Sequence, residues 1–303
     1  MCIRDSFRVD KFFSGKIKKM TKKNNLKILK FPNNIAQLER QVEAILFAAE
    51  EPLEIKLSSK KQSRTIAITM RTPGHDYDLT AGFLYSEGIL KDRRDFLQMS
   101  YCVGEDRHLQ EYNQIRVELR RDDLVDLPQL ERHFFTNSAC GVCGKTMIED
   151  LQRRDIPPVS LTEPVRHDVI QSLPVALRKS QKVFDRTGGL HAAALFDLDG
   201  ALIAAREDFG RHNATDKLLG WGLLIDELPF RKRILMVSGR ASFELLQKCA
   251  VAATPVFCAV SAPSSLAVAL AQHFNITLIG FLRDKRFNIY TNPHNCLLYT
   301  SPS

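Results

Sequence analysis

The sequence predicts an α/β protein with a mixed or parallel sheet, flanking helices and a smaller N-terminal α+β domain. In the second half of the chain, apolar segments of strand length alternate with helical patterns. In the first half, short alternating segments surround one helical pattern. The 303 residues are 44% hydrophobic, which is enough for one large or two modest buried cores.

The first half contains four segments that are typical of strands, at 53–57, 64–70, 98–103 and 114–120. Thr72-Pro73-Gly74 predicts a turn, and Asp76 can cap the helix that follows it. We expect an N-terminal α+β domain over residues 31–137 and, after it, a mobile cysteine-containing segment and linker over 138–158.

The second half predicts a C-terminal α/β domain over residues 159–295. Strands are expected at 191–196 and 201–205, joined as a hairpin through Asp197-Leu198-Asp199-Gly200. A β-α-β-α-β unit follows. Because its connections are helical, its strands should be parallel with right-handed crossovers. The unit comprises strands at 233–237, 256–260 and 276–281 and helices at 242–252 and 264–274.

The net charge of +8 lies in one terminal segment. Residues 1–30 carry ten Lys or Arg and two Asp or Glu, so the remaining chain is balanced. This basic tail gives no reason to expect a nucleic-acid partner. No apolar run has the length of a membrane span, and no secretory signal is apparent, so we expect a cytoplasmic protein without a membrane partner.

Both extreme ends resemble translated sequencing adapter. One short DNA sequence encodes residues 1–5, and the reverse complement of the same DNA sequence encodes residues 296–300. We therefore expect the basic tail to be partly non-native and residues 296–303 to be a non-native tail.

The string from Ser138 to Gly144 contains Cys140 and Cys143 between glycines. A catalytic thiol has to be accessible and partly ionised, because the thiolate is the nucleophile. A helix is predicted at 145–154, and its free amides would lower the pKa of a nearby thiol. The glycines favour a mobile cysteine that can contact two partners in turn, a donor and an acceptor.

Two other interpretations of the cysteine pair stay open. A structural zinc site needs four ligands, and His133 is a possible third with no evident fourth. A thioredoxin-like dithiol has the same spacing but normally follows a strand in a small βαβ fold. Cys102, Cys249 and Cys258 lie within strand or helix patterns and are expected to be buried and inert.

Residues that follow the predicted parallel strands should meet at one edge of the sheet, where ligands of such sheets bind. Arginine and lysine side chains and helix amino termini at this edge suit a phosphate-bearing ligand. Alternatively, the serines start helices and the arginines are solvated. No dinucleotide or Walker loop is present. The candidates are Ser238, Gly239, Arg240, Ser261, Phe281, Leu282, Arg283, Lys285 and Arg286.

A charged string from Glu207 to Lys217 occupies a predicted strand-to-helix junction. It can line the same cleft, in which case His212 is a candidate ligand-binding residue. It can equally form an ion network that supports the helix extending to Trp221.

Together, these motifs resemble the formate dehydrogenase accessory sulfurtransferase family, FdhD. The resemblance extends from about residue 52 to 293, and Phe209 stands where valine is usual. The motifs are Thr72-Pro73-Gly74, Gly82-Phe83-Leu84, Glu87-Gly88, Cys140 to Gly144, Thr187-Gly188-Gly189, His191-Ala192-Ala193, Glu207 to Lys217, Ser238 to Glu244 and Ser261 to Val268.

The resemblance implies a cytidine deaminase-like fold without deaminase chemistry. It implies that a cysteine desulfurase loads sulfur onto Cys140 as a persulfide. A molybdenum or tungsten cofactor in its bis-guanine-dinucleotide form then receives the sulfur before insertion into formate dehydrogenase. Family members are homodimers, bind this cofactor through the segment matching Phe281 to Arg286, which includes Asp284, and hold no permanent metal. The alternatives are a cofactor-binding chaperone or a dithiol protein without sulfur transfer.

Overall fold

The computed structural model describes residues 52–60, 62–102, 112–120, 156–283 and 286–297. They all belong to one compact unit, Glu43–Ser303. Within these ranges no helix combines the length and the apolar character needed to cross a membrane. The predicted helix at 145–154 lies outside the described residues.

Within the described ranges the smaller sheet has four strands, β1 (Leu53–Ser58), β2 (Ser63–Thr69), β3 (Phe96–Tyr101) and β4 (Gln114–Leu119). Their order is β2-β1-β4-β3. β1 pairs antiparallel with β2 and parallel with β4, which pairs antiparallel with β3. Alternate residues of β1, including Leu53 and Ile55, point into the core, as expected for a sheet with one buried face.

The larger sheet has six strands among the described residues, β6 (His191–Phe196), β7 (Leu202–Asp208), β8 (Ile234–Val237), β9 (Val256–Ala259), β10 (Thr277–Arg283) and β11 (Arg286–Ile289). Their order is β11-β10-β9-β8-β6-β7. A separate ladder pairs β5 (Val165–Arg166) with β12 (Cys296–Leu297), which lies in the predicted non-native tail.

The predicted β-α-β-α-β unit is confirmed. β8, β9 and β10 are parallel neighbours, and the hairpin of β6 and β7 extends the sheet by antiparallel pairing with β8. β11 was not predicted and makes the opposite edge antiparallel. The sheet is therefore mixed, with a parallel centre.

Six α-helices occupy the described ranges. The helix after the Thr72 turn begins at Asp76, and His75 is its N-cap residue, so the expected Asp76 cap is wrong. Two helices between residues 167 and 187 were not predicted. The helices are α1 (Asp76–Ser86), α2 (His167–Ser180), α3 (Lys182–Thr187), α4 (Arg211–Leu224), α5 (Phe243–Val251) and α6 (Ser265–His273).

One buried cluster includes residues of both sheets, among them Ile55 of β1 and Leu195 of β6. On the opposite face of the larger sheet, Leu173 of α2 packs in a second cluster with Ala194 and Met236. Successive residues of β6 alternate between the two clusters, as the strand period of two requires.

Helices α1 and α4 cross at two glycines. A methyl group on Gly82 would lie 1.8 Å from the carbonyl oxygen of Asp216, and one on Gly220 would lie 1.8 Å from that of Asp78. Side chains cannot fit at these positions, so the backbones approach directly. This contact holds the middle of α4 against α1, and the amino end of α4 forms part of the site described next.

Candidate functional site

The segments that follow β8, β9 and β10 lie side by side. The backbone N–H of Ser261 donates to the carbonyl oxygen of Gly239 at 3.2 Å, and the N–H of Phe281 donates to that of Ser261 at 3.2 Å. The strand pairing thus continues beyond the strands and forms one continuous edge. The sequence predicted this convergence, whereas the binding roles of the residues stay a prediction.

The two serines at the strand ends do not cap helices. Ser238 instead links the segment after β8 to β6, because its Oγ accepts a hydrogen bond from the N–H of Ala192 at 2.9 Å. The N-cap residues of α5 and α6 are Ser242 and Ser264. The alternative that Ser238 and Ser261 start these helices is therefore wrong.

Phe281 has a backbone φ of 51°, a left-handed conformation that is uncommon outside glycine. It lies within an irregularity of the β10–β11 pairing, and 37% of its surface is exposed. The ring is therefore available at the strand edge. Leu282 has the opposite orientation and is fully buried, so only its backbone is available to a ligand.

The charged candidates at this edge point away from the core. Arg240, Arg283 and Arg286 are all exposed. Asp284 and Lys285 lie outside the described residues. Positive charge at the carboxyl edge of a parallel sheet suits an anionic ligand.

His212 lies at the amino end of α4, next to the start of α5. Its Nε2 is 3.3 Å from Oγ of Ser242 and 3.8 Å from a carboxylate oxygen of Glu244. Contact with the His212 ring lowers the pKa of Glu244 to about 2, so this carboxylate is ionised at neutral pH. The sequence identified His212 as a candidate but gave no separate sign of Ser242 or Glu244 as its neighbours.

The side chains of His191 and Arg211 also lie close to Gly239, at the strand edge. A methyl group on Gly239 would lie 3.4 Å from Nδ1 of His191 and 3.8 Å from Cδ of Arg211. Burial, with added effects from Arg211 and His212, lowers the pKa of His191, so its neutral form is favoured. His191 is half-buried beside the strand edge.

The charged string from Glu207 to Lys217 forms an ion network in which the buried charged groups are paired. Lys217 Nζ lies 2.8 Å from Asp208 Oδ2 and donates to the carbonyl oxygen of Thr72 at 2.7 Å. A second buried pair joins Lys248 to Asp216 at 2.7 Å. The ion-network interpretation therefore describes the buried members of the string, whereas the interpretation that the string lines a ligand cleft stays a prediction.

Cys140 and Cys143 lie outside the described residues. Burial raises the pKa of the thiols of Cys249 and Cys258, which are fully enclosed and disfavoured as thiolates. Cys102 is half-buried, so its expected burial is only partial. The prediction of inert thiols is consistent with the environments of Cys249 and Cys258.

The described residues contain no group of three or more His, Cys, Asp or Glu side chains arranged to hold a metal ion. Cys140, Cys143 and His133, which carry the zinc alternative, fall outside those ranges.

Comparisons with known proteins cover most of the chain. Residues 48–297 match the model of the FdhD/NarQ family. A protein of Streptomyces coelicolor named "Sulfur carrier protein FdhD" is 50% identical over 245 residues, covering 80% of this chain and 86% of its own. A protein of the same name from Picrophilus torridus is 41% identical over 248 residues, covering 82% and 90%.

A solved structure supports the fold. The crystal structure of a protein from Desulfotalea psychrophila, assigned as a formate dehydrogenase accessory protein, superposes with a TM-score of 0.61. The likeness covers 81% of this chain and 89% of that chain at 24% sequence identity.

Proposed function

Because the chain belongs to the FdhD/NarQ family, we propose that it is a sulfur carrier that supports formate dehydrogenase. The observation that carries the proposal is the similarity over four fifths of the chain to proteins named as sulfur carriers. The name of the structural neighbour supports the dehydrogenase as the recipient.

Cys140 is the proposed carrier thiol. Cys249 and Cys258 are unsuited to this role, since both are enclosed and their pKa values are raised. Cys140 lies instead in a glycine-flanked pair that suits an accessible, ionisable thiol. A cysteine desulfurase is the proposed donor.

Loading is a thiol–persulfide exchange. The thiolate of Cys140 attacks the terminal sulfur of the donor persulfide and forms a new S–S bond. The donor's own S–S bond breaks, and its cysteine leaves as a thiolate. The exchange moves one sulfur atom without net oxidation.

Cys143 supplies a route for release. Its thiolate attacks Sγ of Cys140, so that hydrosulfide leaves and a Cys140–Cys143 disulfide forms. A cellular dithiol must then reduce this disulfide with two electrons before the next cycle. The released sulfur is destined for the metal centre of the acceptor.

The proposed acceptor is the bis-guanine-dinucleotide form of a molybdenum or tungsten cofactor, bound as a substrate. The edge formed by Gly239, Ser261 and Phe281 supports this proposal, because it combines backbone, an exposed ring and nearby arginines. Phosphates and a purine base need such partners.

The proposal includes three further properties implied by the family. They are a cytidine deaminase-like arrangement of the larger sheet, a homodimeric state and action in the cytoplasm. The division into domains at 31–137 and 159–295, joined by a mobile cysteine segment, also stays a prediction.

Intact-mass analysis tests the carrier role. The protein is incubated with a cysteine desulfurase and cysteine, and we expect the mass of one added sulfur atom on the wild type. Cys140→Ala should lose this addition, whereas the matched variant Cys102→Ala should retain it. Equal addition to Cys140→Ala, or none to the wild type, would refute the proposal.

A complementation assay separates sulfur transfer from simple cofactor binding. We expect Cys140→Ser to abolish formate dehydrogenase activity in cells that lack the native carrier, with the folded protein still present. Full activity of this variant would instead favour a cofactor-binding chaperone.

A further inference from the structure

Helix α3 (Lys182–Thr187) is weakly anchored to the rest of the protein. It has six residues, none of them buried, and its N-cap residue Gln181 makes no side-chain cap hydrogen bond. Within the described ranges, neither buried cluster includes a residue of α3. A helix of this length is not stable by itself, because its first turn is costly to form and few further bonds follow. Contacts with other elements therefore decide whether α3 forms.

Glu207 of β7 holds the amino end of α3. One of its carboxylate oxygens accepts from the N–H of Val183 at 2.9 Å and from the N–H of Phe184 at 2.8 Å. Both amides belong to the first turn, where a helix leaves its N–H groups without internal partners. Glu207 therefore supplies, from a strand, the acceptor that an N-cap side chain normally provides.

The orientation of Glu207 follows from the strand period. Its neighbour Asp208 is buried, pairs with Lys217 and accepts from the N–H of Thr72. Successive side chains of a strand point to opposite faces, so the two carboxylates at the end of β7 bind different segments of the chain. Glu207 lies opposite Ala192 in the pairing of β6 with β7, and its backbone is thus held in the sheet.

The other contacts of α3 are weaker. Arg178 pairs with Asp185 at 2.6 Å and lies over the ring of Phe184, 4.8 Å from its centroid. Both side chains of this ion pair are more than half exposed, and exposed pairs contribute little to stability. Burial raises the pKa of Glu207, whereas the amides of Phe184 and Val183 lower it. The cost of burying the carboxylate therefore offsets part of what its hydrogen bonds contribute.

The segment that contains α3 has fixed ends and a loose middle. Gln181 before it and Leu190 after it are both buried. Gly188 has a left-handed φ of 70°, and both Gly188 and Gly189 are exposed. A methyl group on either glycine would meet no atom within 4 Å. The glycines allow the backbone to change conformation, so residues 182–189 can move while their flanking residues stay in place.

This segment adjoins the edge formed by the residues that follow β8, β9 and β10. His191 begins β6, which pairs antiparallel with β8. The amino end of β6 therefore lies beside the carboxyl end of β8, and Ala192 and Ser238 are hydrogen-bonded there. A movement of residues 182–189 consequently takes place next to the strand edge.

We propose that residues 182–189 form a strap that opens locally, and that Glu207 is the latch that closes it. In the open form the amides at the amino end of α3 bind water in place of the carboxylate. Elements that bury few apolar groups and have few hydrogen bonds open at a small part of the global unfolding free energy. The inference goes beyond the proposed function, because the opening needs neither sulfur nor an acceptor.

Hydrogen exchange of the full chain, followed by mass spectrometry of its peptides, tests the latch. In the wild type the strap should exchange faster than β8 and with little dependence on low urea concentrations, because local opening exposes little surface. Glu207→Ala should accelerate exchange of the strap by about tenfold or more, as expected for lost hydrogen bonds to a charged acceptor. Glu207→Gln should have a smaller effect, since its amide oxygen still accepts.

Asp197→Ala is the matched control. The carboxylate of Asp197 also accepts from two backbone amides, those of Asp199 and Ala201, at 3.0 and 2.8 Å. It lies in the turn between β6 and β7, at the other end of the hairpin from Glu207. This substitution should accelerate exchange in the turn and leave exchange of the strap unchanged.

Three results would overturn the proposal. Exchange of the wild-type strap as slow as that of β8 would show that the segment does not open locally. Exchange of the strap that is unchanged in Glu207→Ala would show that the carboxylate is not the latch. Equal acceleration of the strap and of β8 in this variant would show that Glu207 supports the whole fold instead.

Discussion

Lys217 Nζ lies 2.8 Å from Asp208 Oδ2, and neither side chain is more than 1% exposed. The same ammonium group donates to the carbonyl oxygen of Thr72, and the second oxygen of Asp208 accepts from the N–H of Gly210. This buried pair therefore connects the turn before α1 to the junction between β7 and α4. Arg211 and His212 follow this junction as the first residues of α4.

Loss of the ammonium group should be strongly destabilising. We expect Lys217→Met to lower the free energy of unfolding by about 3–5 kcal/mol, because Asp208 would stay buried without its partner. Urea denaturation measures this change. In the double variant with Asp208→Asn, the loss should be smaller than the sum of the single losses.

Arg233→Met provides the surface comparison. Arg233 pairs with Glu227 at 3.4 Å near the surface, so its substitution should cost less than about 1 kcal/mol. A cost for Lys217→Met no greater than this would show that the buried pair does not stabilise the fold.

Thr72 is bound to the same junction by all three of its polar groups. Its N–H donates to Asp208, its carbonyl oxygen accepts from Lys217, and its Oγ1 accepts from the N–H of Phe209 at 2.9 Å. We expect Thr72→Val to cost about 1–3 kcal/mol, because the Phe209 N–H loses its acceptor while the side-chain shape is kept.

Thr72→Ser should be closer to the wild type than Thr72→Val, since serine retains the hydroxyl. Urea denaturation of both variants gives the comparison. If valine were tolerated as well as serine, the Oγ1 contact would have no role in holding the junction.

The sequence was sufficient to predict the strand edge, because parallel order follows from helical connections and the carboxyl ends then meet. The sequence was not sufficient to predict which members of the charged string from Glu207 to Lys217 are buried. Asp208 and Lys217 are both buried, and both hydrogen-bond to Thr72, more than 130 residues earlier in the chain. That contact depends on tertiary packing and leaves no local pattern.

The proximity of His191, Arg211 and His212 was only partly predictable. His212 belongs to the charged string, and local composition drew attention to it. His191 follows a glycine-rich turn beside an apolar strand, and such a histidine is more often a core residue. Its neighbour Gly239 comes 48 positions later, and only the pairing of β6 with β8 brings the two together.

Helix propensity and the close contact of α1 with α4 predict opposite effects of the substitution Gly82→Ala on stability. Alanine is favoured over glycine in a helix by about 1 kcal/mol. Gly82→Ala should nevertheless destabilise the protein by about 1–3 kcal/mol or more, because its methyl group would overlap the carbonyl oxygen of Asp216.

Gly189→Ala is the control for this substitution, since a methyl group there would meet no atom within 4 Å. Thermal or urea unfolding of both variants makes the test. An unchanged or raised stability of Gly82→Ala would contradict the direct contact between the helices.

The buried thiols should resist alkylation. Native protein treated with iodoacetamide at pH 7 should remain unmodified at Cys249 and Cys258, because burial raises their pKa values and blocks access. Peptide mass mapping identifies the modified residues, and both should react after unfolding in urea. Rapid modification of either in the native state would contradict their enclosure.

His191 should titrate below the ordinary histidine pKa of about 6.5. Burial is the largest cause, and the charged or titratable groups that face it are Arg211 and His212, both on α4. Since its pKa is lowered on folding, the unfolded chain binds the proton more readily. Its contribution to stability is therefore present above about pH 6.5 and is lost as pH falls through the folded pKa.

Ring resonances followed by NMR against pH measure this pKa directly. Arg211→Gln should raise it, because a nearby positive charge is removed, whereas Arg233→Gln should leave it unchanged. A pKa of His191 that is insensitive to Arg211→Gln would contradict an electrostatic effect of Arg211 on the ring.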